Sequence, residues 1–136
     1  MLNRLRARAP ANVCFLPFVT REELRDLYRS SLAMVFPVNE DFGIAMAEAQ
    51  GCGTPVIGLA AGGALDIVEP GLTGWLVERQ EIDEIRAAVM RAARDSLDSS
   101  YIAGRASRFS AERFRREFGE IVSAVVRGTA DERGLA

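Results

Sequence analysis

The chain has 136 residues, of which 49% are apolar and 26% are charged, the proportions of a globular domain with enough sequence to bury one core. Its formal net charge of −2 argues against non-specific nucleic-acid binding, which needs a concentrated basic surface. None of its apolar runs approaches the roughly 20 residues that a membrane-spanning helix requires.

Two residue types are missing from the sequence. It contains no histidine, and all 17 basic residues are arginine, so there is no lysine. These absences exclude a Ser-His-Asp triad, a Cys-His pair, a Schiff-base lysine and a P-loop lysine. The two cysteines, Cys14 and Cys52, lack metal-ligand spacing, and no metal site is expected. Their apolar neighbours indicate small buried side chains in a reducing compartment, which favours a cytoplasmic location.

The pattern along the chain predicts an α/β domain. After an arginine-rich helix end at 1–11, continuous apolar runs predict about four parallel strands, over 12–16, 32–37, 55–59 and 74–77. Helical spacing and capping signals predict flanking helices over 20–31, 42–50, 63–69, 81–94 and 110–126. We expect Trp75 in the core, the arginines of 105–116 on solvated helix faces, and a flexible tail over 129–136.

One segment carries a pattern that indicates chemistry. Between the second and third predicted strands, a loop with Glu40 leads through Gly43 into a helix that contains Glu48. The helix N-terminus after a parallel strand is a binding place for phosphate, and a glycine there lets the phosphate approach the backbone amides. Glu48 lies about 7 Å along the helix axis and leans back toward its start, within reach of both hydroxyls of a ribose. Glu40, on the loop, is placed to accept from hydroxyls of a sugar beyond the diphosphate.

A structural interpretation of the same residues remains open at this point. Asp41 could cap the helix and occupy the amides that are assigned above to phosphate. Glu40 and Glu48 would then be solvated surface acids.

The ordered landmarks resemble those of one enzyme family. Residues 40–49 with 51–57, preceded by 13–19 and followed by 61–63 and 71–77, resemble the Glu-x7-Glu signature of family-4 (group 1) glycosyltransferases. The resemblance covers roughly residues 12–95. It implies a GT-B fold, of which this chain would supply a partial Rossmann-like C-terminal domain. It also implies a nucleotide-diphospho-sugar donor and retention of anomeric configuration.

The resemblance implies roles for individual residues. Glu48 would bind the ribose hydroxyls and Glu40, the candidate catalytic residue, would bind hydroxyls of the donor sugar. The backbone of Phe42, Gly43 and Ile44 would meet the sugar and diphosphate. Phe18 and Val19 would lie near the base.

The resemblance implies that the substrate is the nucleotide sugar itself, with no cofactor and no metal. The residues 40–44 resemble mannosyltransferase-like members that use GDP-mannose. Two departures weaken the match: Pro17 stands where the family usually has glycine, and Ala45 and Met46 stand where it often has proline.

The resemblance also implies missing parts. The family has an N-terminal domain with the acceptor site, and an arginine and a lysine at the start of the C-terminal domain hold the diphosphate. We therefore expect residues 1–128 to be a truncated donor-binding domain that transfers no sugar alone. Partners would be the donor and a separate N-terminal chain or a second copy, in the cytoplasm or peripherally at the inner membrane surface. The alternatives are a non-catalytic nucleotide- or phosphate-binding module of flavodoxin-like topology, or a degenerate fragment with a structural role only.

A consequence for the sheet follows. In a doubly wound order 3-2-1-4-5-6, the strand predicted at 12–16 would be separated from the others by two absent strands. We expect it to pair directly beside 32–37, or the open sheet edges to pair with another copy.

Overall fold

A computed structural model describes residues 2–133, with side chains through residue 128. Seven α-helices alternate with a sheet of three strands in this range. In chain order they are α1 (Leu2–Arg8), α2 (Arg21–Ser30), β1 (Met34–Phe36), α3 (Ile44–Gly51), β2 (Val56–Leu59), α4 (Ala64–Ile67), β3 (Gly74–Val77), α5 (Ile82–Ala92), α6 (Ser99–Ala106), a 3₁₀ turn (Ser107–Phe109) and α7 (Ala111–Arg133). The predicted α/β class is confirmed.

The sheet is parallel and covered on both faces. Its order is β1-β2-β3, with Val35 opposite Ile57 and Ile57 opposite Trp75. Val56 packs with Met46 of α3 and residues of α4, whereas its neighbour Ile57 packs with Trp75 and residues of α5. Because successive strand residues point to opposite faces, both faces require apolar residues, which explains the continuous apolar runs. Trp75 is in the core, as expected, with 4% of its surface exposed.

The predicted first strand is wrong. Residues 12–16 form no strand, and Val13 and Leu16 are 45% and 54% exposed. They do not pair beside β1, so the described sheet has three strands and not four. An apolar run becomes a strand only where a neighbouring strand satisfies its backbone groups, and the described chain offers it none. Cys14, predicted to be buried, is exposed for the same reason, while Cys52 is half-buried.

Helix boundaries follow their capping signals. Thr20 caps α2 through the predicted capping box: its hydroxyl accepts from the Glu23 amide, and the Glu23 carboxylate accepts from the Thr20 amide at 2.7 Å. Helix α6 was not predicted, although Asp98 caps it in the same manner. Helix α7 continues beyond Gly128 to Arg133, and residues 134–136 of the predicted tail lie outside the described residues.

A buried polar link joins α3 to the turn before β3. Gln50 and Thr73 are fully buried, and the Gln50 amide nitrogen donates to the Thr73 hydroxyl oxygen at 3.0 Å. That oxygen also accepts from the Glu69 amide at 2.9 Å. The link fixes the position of Glu69 relative to α3.

The side chain of Glu69 gathers three residues of the C-terminal helices, a cluster named here the Glu69 clamp: Glu69, Tyr101, Arg105 and Arg108. Its carboxylate accepts from Arg105 Nε at 2.8 Å, from Arg105 Nη2, from Arg108 Nη1 at 3.1 Å and from the Tyr101 hydroxyl at 3.3 Å. The prediction that the arginines of 105–116 lie on solvated faces is therefore wrong for Arg108, which is half-buried, whereas Arg105 is ion-paired but remains exposed. The acids interspersed in their own segment suggested solvation, but their partner is more than 30 residues away.

A close backbone contact fixes the loop before α3. The Gly63 amide donates to the Glu40 carbonyl oxygen at 2.8 Å. A β-carbon at Gly62 would overlap the Glu40 carbonyl, and one at Gly63 would overlap the Phe42 carbonyl. The glycine pair thus allows the loop of Glu40 to lie directly on the start of α4.

We expect Gly63→Ala to destabilise the fold by about 1–3 kcal/mol, since two backbone segments must separate to admit the methyl group. Gly104→Ala is the matched control, because a β-carbon at Gly104 meets nothing within 4 Å in α6. Alanine in a helix interior should stabilise that variant by about 0.5–1 kcal/mol. Urea unfolding of both variants measures the difference, and equal midpoints would contradict the overlap.

The Glu69 clamp should make stability depend on pH. The hydrogen bond from Arg105 is the largest cause that lowers the pKa of the Glu69 carboxyl below its ordinary 4.5; burial opposes it, and Tyr101 and Arg108 add to it. Because the folded-state pKa is the lower one, the stabilisation is present above about pH 4.5 and is lost as the pH falls through the lowered value. Thermal melts should therefore show a gap in Tm between wild type and Glu69→Gln at neutral pH that narrows in acid. A gap that is constant or widens in acid contradicts this assignment.

Candidate functional site

The N-terminus of α3 has no side-chain cap. Gly43 occupies the cap position in the left-handed conformation, with φ of 87°, and no side chain accepts from the first turn. The alternative in which Asp41 caps the helix is therefore wrong. Among the described residues, the amides of Ile44 and Ala45 have no acceptor, whereas the amides of Met46 and Ala47 donate to the Gly43 carbonyl. Two amides and the positive end of the helix dipole are thus open to an anion.

Glycine is required at the cap position for two reasons. A residue with a side chain rarely adopts the positive φ of Gly43, and a β-carbon there would overlap the methyl group of Met46. Met46 is fully buried, so that methyl group lies beneath the start of the helix. The space that a side chain of residue 43 would fill is thus occupied by the core, and packing as well as backbone conformation requires glycine here.

Glu48 lies one turn further along α3, at a pocket between α2 and α3. The pocket has a volume of about 350 Å³ and is lined by Arg21, Leu24, Arg25, Tyr28, Glu48 and Cys52. The Thr54 hydroxyl donates to the Tyr28 carbonyl oxygen at 2.6 Å and ties α2 to the segment after α3. The exposed Glu48 side chain therefore lies at a concave surface that Arg21, Arg25 and Tyr28 also line, and Arg25 is ion-paired with Asp26.

The surroundings of this pocket change the pKa of the Tyr28 hydroxyl. Burial is the main cause that raises the pKa of its hydroxyl, and the nearby Glu48 carboxylate and Cys52 thiol raise it further. The phenol consequently stays protonated at neutral pH and is a hydrogen-bond donor at the pocket wall. Sequence reasoning missed Tyr28 and Arg21 here. The signal was available, since the helical spacing of α2 puts residues 21, 24, 25 and 28 on one stripe.

Glu40 lies at the other side of the α3 N-terminus. Its main chain is held by Gly63, and its residue surface is exposed. Phe42 and Ile44, on either side of Gly43, are 50% and 66% exposed. Phe42 makes an edge-to-face contact with Phe109, with ring centroids 5.7 Å apart. The loop thus exposes a carboxylate and two apolar side chains around the open amides.

The structure brings together most, but not all, of the predicted site residues. Glu40, Phe42, Gly43, Ile44 and Glu48 lie on one loop and helix. Phe18 and Val19 precede α2, where Phe18 is 91% exposed and Val19 is half-buried. Their predicted place near the base stays a prediction.

Two absences concern only the described part of the chain. Within residues 2–133, no group of three or more cysteine or acidic side chains is arranged to hold a metal ion. In the same range, no helix has both the length and the apolar character needed to cross a membrane.

Comparison with known proteins gives consistent relatives. The model of the family "Glycosyl transferases group 1" matches residues 4–109. A D-inositol 3-phosphate glycosyltransferase of Geodermatophilus obscurus is 42% identical over 101 residues, which are 73% of this chain and 22% of that protein. The protein of the same name from Mycobacterium bovis is 34% identical, over 85% of this chain and 30% of that protein. The chain thus spans less than a third of these relatives.

Solved structures share the fold. Sucrose-phosphate synthase from Thermosynechococcus elongatus superposes with a TM-score of 0.83 at 26% identity, over 93% of this chain and 34% of that one. HepE from Anabaena, solved in complex with UDP and glucose, gives a TM-score of 0.70 at 26% identity, over 90% of this chain and 34% of that one. The architecture is therefore the Rossmann-like fold of GT-B glycosyltransferases. With the family model matching most of its length, the chain belongs to the group 1 glycosyl transferases.

Proposed function

We propose that the chain is the donor-binding part of a retaining, family-4 hexosyltransferase that uses a nucleotide-diphospho-sugar. The observation that carries the proposal is the uncapped start of α3, where Gly43 leaves the amides of Ile44 and Ala45 without an acceptor. Such a helix start binds phosphate through its amides and dipole, which contribute about 0.3–2 kcal/mol for one charge.

The diphosphate at this position determines where the rest of the donor lies. A ribose attached to it reaches the pocket between α2 and α3, where the Glu48 carboxylate accepts from both ribose hydroxyls. Arg21 and Tyr28 at the same pocket can donate to phosphate or ribose oxygens. The base lies beyond the ribose, toward Phe18 and Val19.

The sugar lies on the Glu40 side of the helix start. There the exposed Glu40 carboxylate accepts from sugar hydroxyls. Phe42 and Ile44 form apolar walls around the bond that breaks. These contacts orient the anomeric carbon with the diphosphate as leaving group.

Different observations favour different bases and sugars for the donor. HepE was solved with UDP and glucose, which favours a uridine donor, whereas the residues 40–44 led us to expect GDP-mannose. In this proposal the donor binds without a cofactor or metal, because the amides of Ile44 and Ala45 contact the diphosphate directly. Measuring the affinity for uridine and guanosine nucleotides therefore distinguishes these two donors.

We propose further that the 136-residue chain alone binds the donor without transferring the sugar. Positive charge on the leaving diphosphate is commonly the largest catalytic contribution, and losing one such contact costs about 2.7–4 kcal/mol. The chain has no lysine to supply this charge. We assign no acceptor site to its described residues. Transfer would then require a further chain or segment, with a separate N-terminal chain or a second copy as the candidate partner.

Calorimetric titration tests the binding roles. The ligands are UDP, GDP and ADP, each free and attached to glucose or mannose, against wild type, Glu48→Gln and Glu40→Gln. Glu48→Gln should weaken both the free nucleotide and its sugar form by at least about tenfold, or ~1.4 kcal/mol. Glu40→Gln should weaken only the sugar form, because its carboxylate contacts the sugar alone.

Glu112→Gln, an exposed acid on α7, is the matched control and should bind as wild type does. A wild-type chain that binds none of the ligands, or a Glu48→Gln variant that binds them unchanged, contradicts the proposal. Turnover of any donor by the chain alone contradicts the second part of it.

A further inference from the structure

The loop that carries Glu40 is supported from beneath by residues far along the chain. Phe109, in the 3₁₀ turn after α6, meets the Phe42 ring edge-on, with the ring planes at 89°. Phe109 is half-buried and packs against the core beneath α3 and α4. Phe42 is half-exposed, so this ring contact is a principal support of its side chain.

Arg108 holds Phe109 in that place. Its guanidinium lies 4.8 Å from the centroid of the Phe109 ring. The same group donates to the carbonyl oxygens of Asp66 at 2.6 Å and of Ile67 at 3.2 Å, at the C-terminal end of α4. These bonds attach the 3₁₀ turn to α4.

Helix α4 is therefore held at both ends. Gly63, directly before its first residue, donates to the Glu40 carbonyl, and its last residue, Ile67, accepts from Arg108. The Glu69 carboxylate, two residues further on, holds both Arg105 and Arg108. The clamp and the loop of Glu40 thus both contact α4. A second connection between them is the ring contact of Phe42 with Phe109.

We propose that the Glu69 clamp positions the loop of Glu40, Phe42 and Gly43, and that Glu69, Arg108 and Phe109 are positioning residues of the donor site. The relevance to donor binding rests on the function proposed above. The positioning itself rests only on the contacts. A clamp with a purely stabilising role would change the unfolding free energy and leave the geometry of the folded loop unchanged.

The methyl group of Met46 reports that geometry without any ligand. It lies against Gly43 and is fully buried, so its NMR chemical shift follows the position of the loop. Labelling with methyl-¹³C methionine gives only the few methionine signals of the sequence, including Met34 in β1 and Met90 in α5. In folded Glu69→Gln, we expect the Met46 signal to move while that of Met90 stays in place.

Glu84→Gln is the matched control. Glu84 also accepts from an arginine, Arg79, at 2.7 Å and from backbone amides, but it lies at the start of α5, away from the loop. This variant removes an equivalent ion pair and should leave the Met46 signal unchanged. Phe109→Leu keeps the ion pairs of the clamp and an apolar side chain but removes both ring contacts of Phe109, and it should move the Met46 signal as Glu69→Gln does. Phe109→Leu also tests the proposal if Glu69→Gln does not fold.

Donor titrations on the same samples separate this proposal from the previous one. A moved Met46 signal with donor affinity reduced at least about threefold in Glu69→Gln and Phe109→Leu supports both proposals. A moved Met46 signal in a chain whose wild type binds no donor supports the clamp and contradicts the proposed function. A Met46 signal at the wild-type position in both variants overturns the clamp, whatever the donor affinity.

Discussion

The contact between the Glu40 carbonyl and the Gly63 amide organises the molecule, because it brings the loop after β1 onto the start of α4 and leaves α3 to begin without a cap. Only glycine tolerates that approach, since a β-carbon at Gly62 or Gly63 would overlap the loop backbone. The glycine pair therefore holds the loop that leads into the open start of α3.

The buried core carries this arrangement to the C-terminal helices. Gln50 of α3 is bonded to Thr73, Thr73 to Glu69, and Glu69 to the arginines after it in the chain. Burying a polar group costs free energy unless it finds a partner, so the bond from Gln50 to Thr73 favours one geometry over its neighbours, although Gln50 Oε1 itself has no hydrogen-bond partner within the described residues. The glycine pair, Gly62 and Gly63, and the Glu69 clamp together determine the position of the α3 N-terminus.

Much of this was predictable from local sequence, and the failures have a common cause. Thr20 with Glu23 predicted the start of α2, and the apolar runs predicted β1, β2 and β3, because those signals act within a few residues. The strand at 12–16 and the buried state of Cys14 were wrong, because strand formation depends on partners that local apolarity does not reveal. The half-buried position of Arg108 was misjudged for a similar reason: its partner, Glu69, lies on a different element. Gly43 as the cap in place of Asp41 likewise depends on a packing contact, with the buried methyl group of Met46.

The central claim is that the first amides of α3 bind a nucleoside diphosphate. Amide ¹H–¹⁵N spectra recorded during a titration with UDP, and separately with GDP, test it most directly. We expect saturable shifts of the Ile44 and Ala45 amide signals with one of the two nucleotides. We expect no such shifts for Ser100 and Tyr101 of α6, whose amides already donate to the Asp98 carboxylate. Ile44 and Ala45 signals that stay in place, or equal shifts at both helix starts, would contradict this claim.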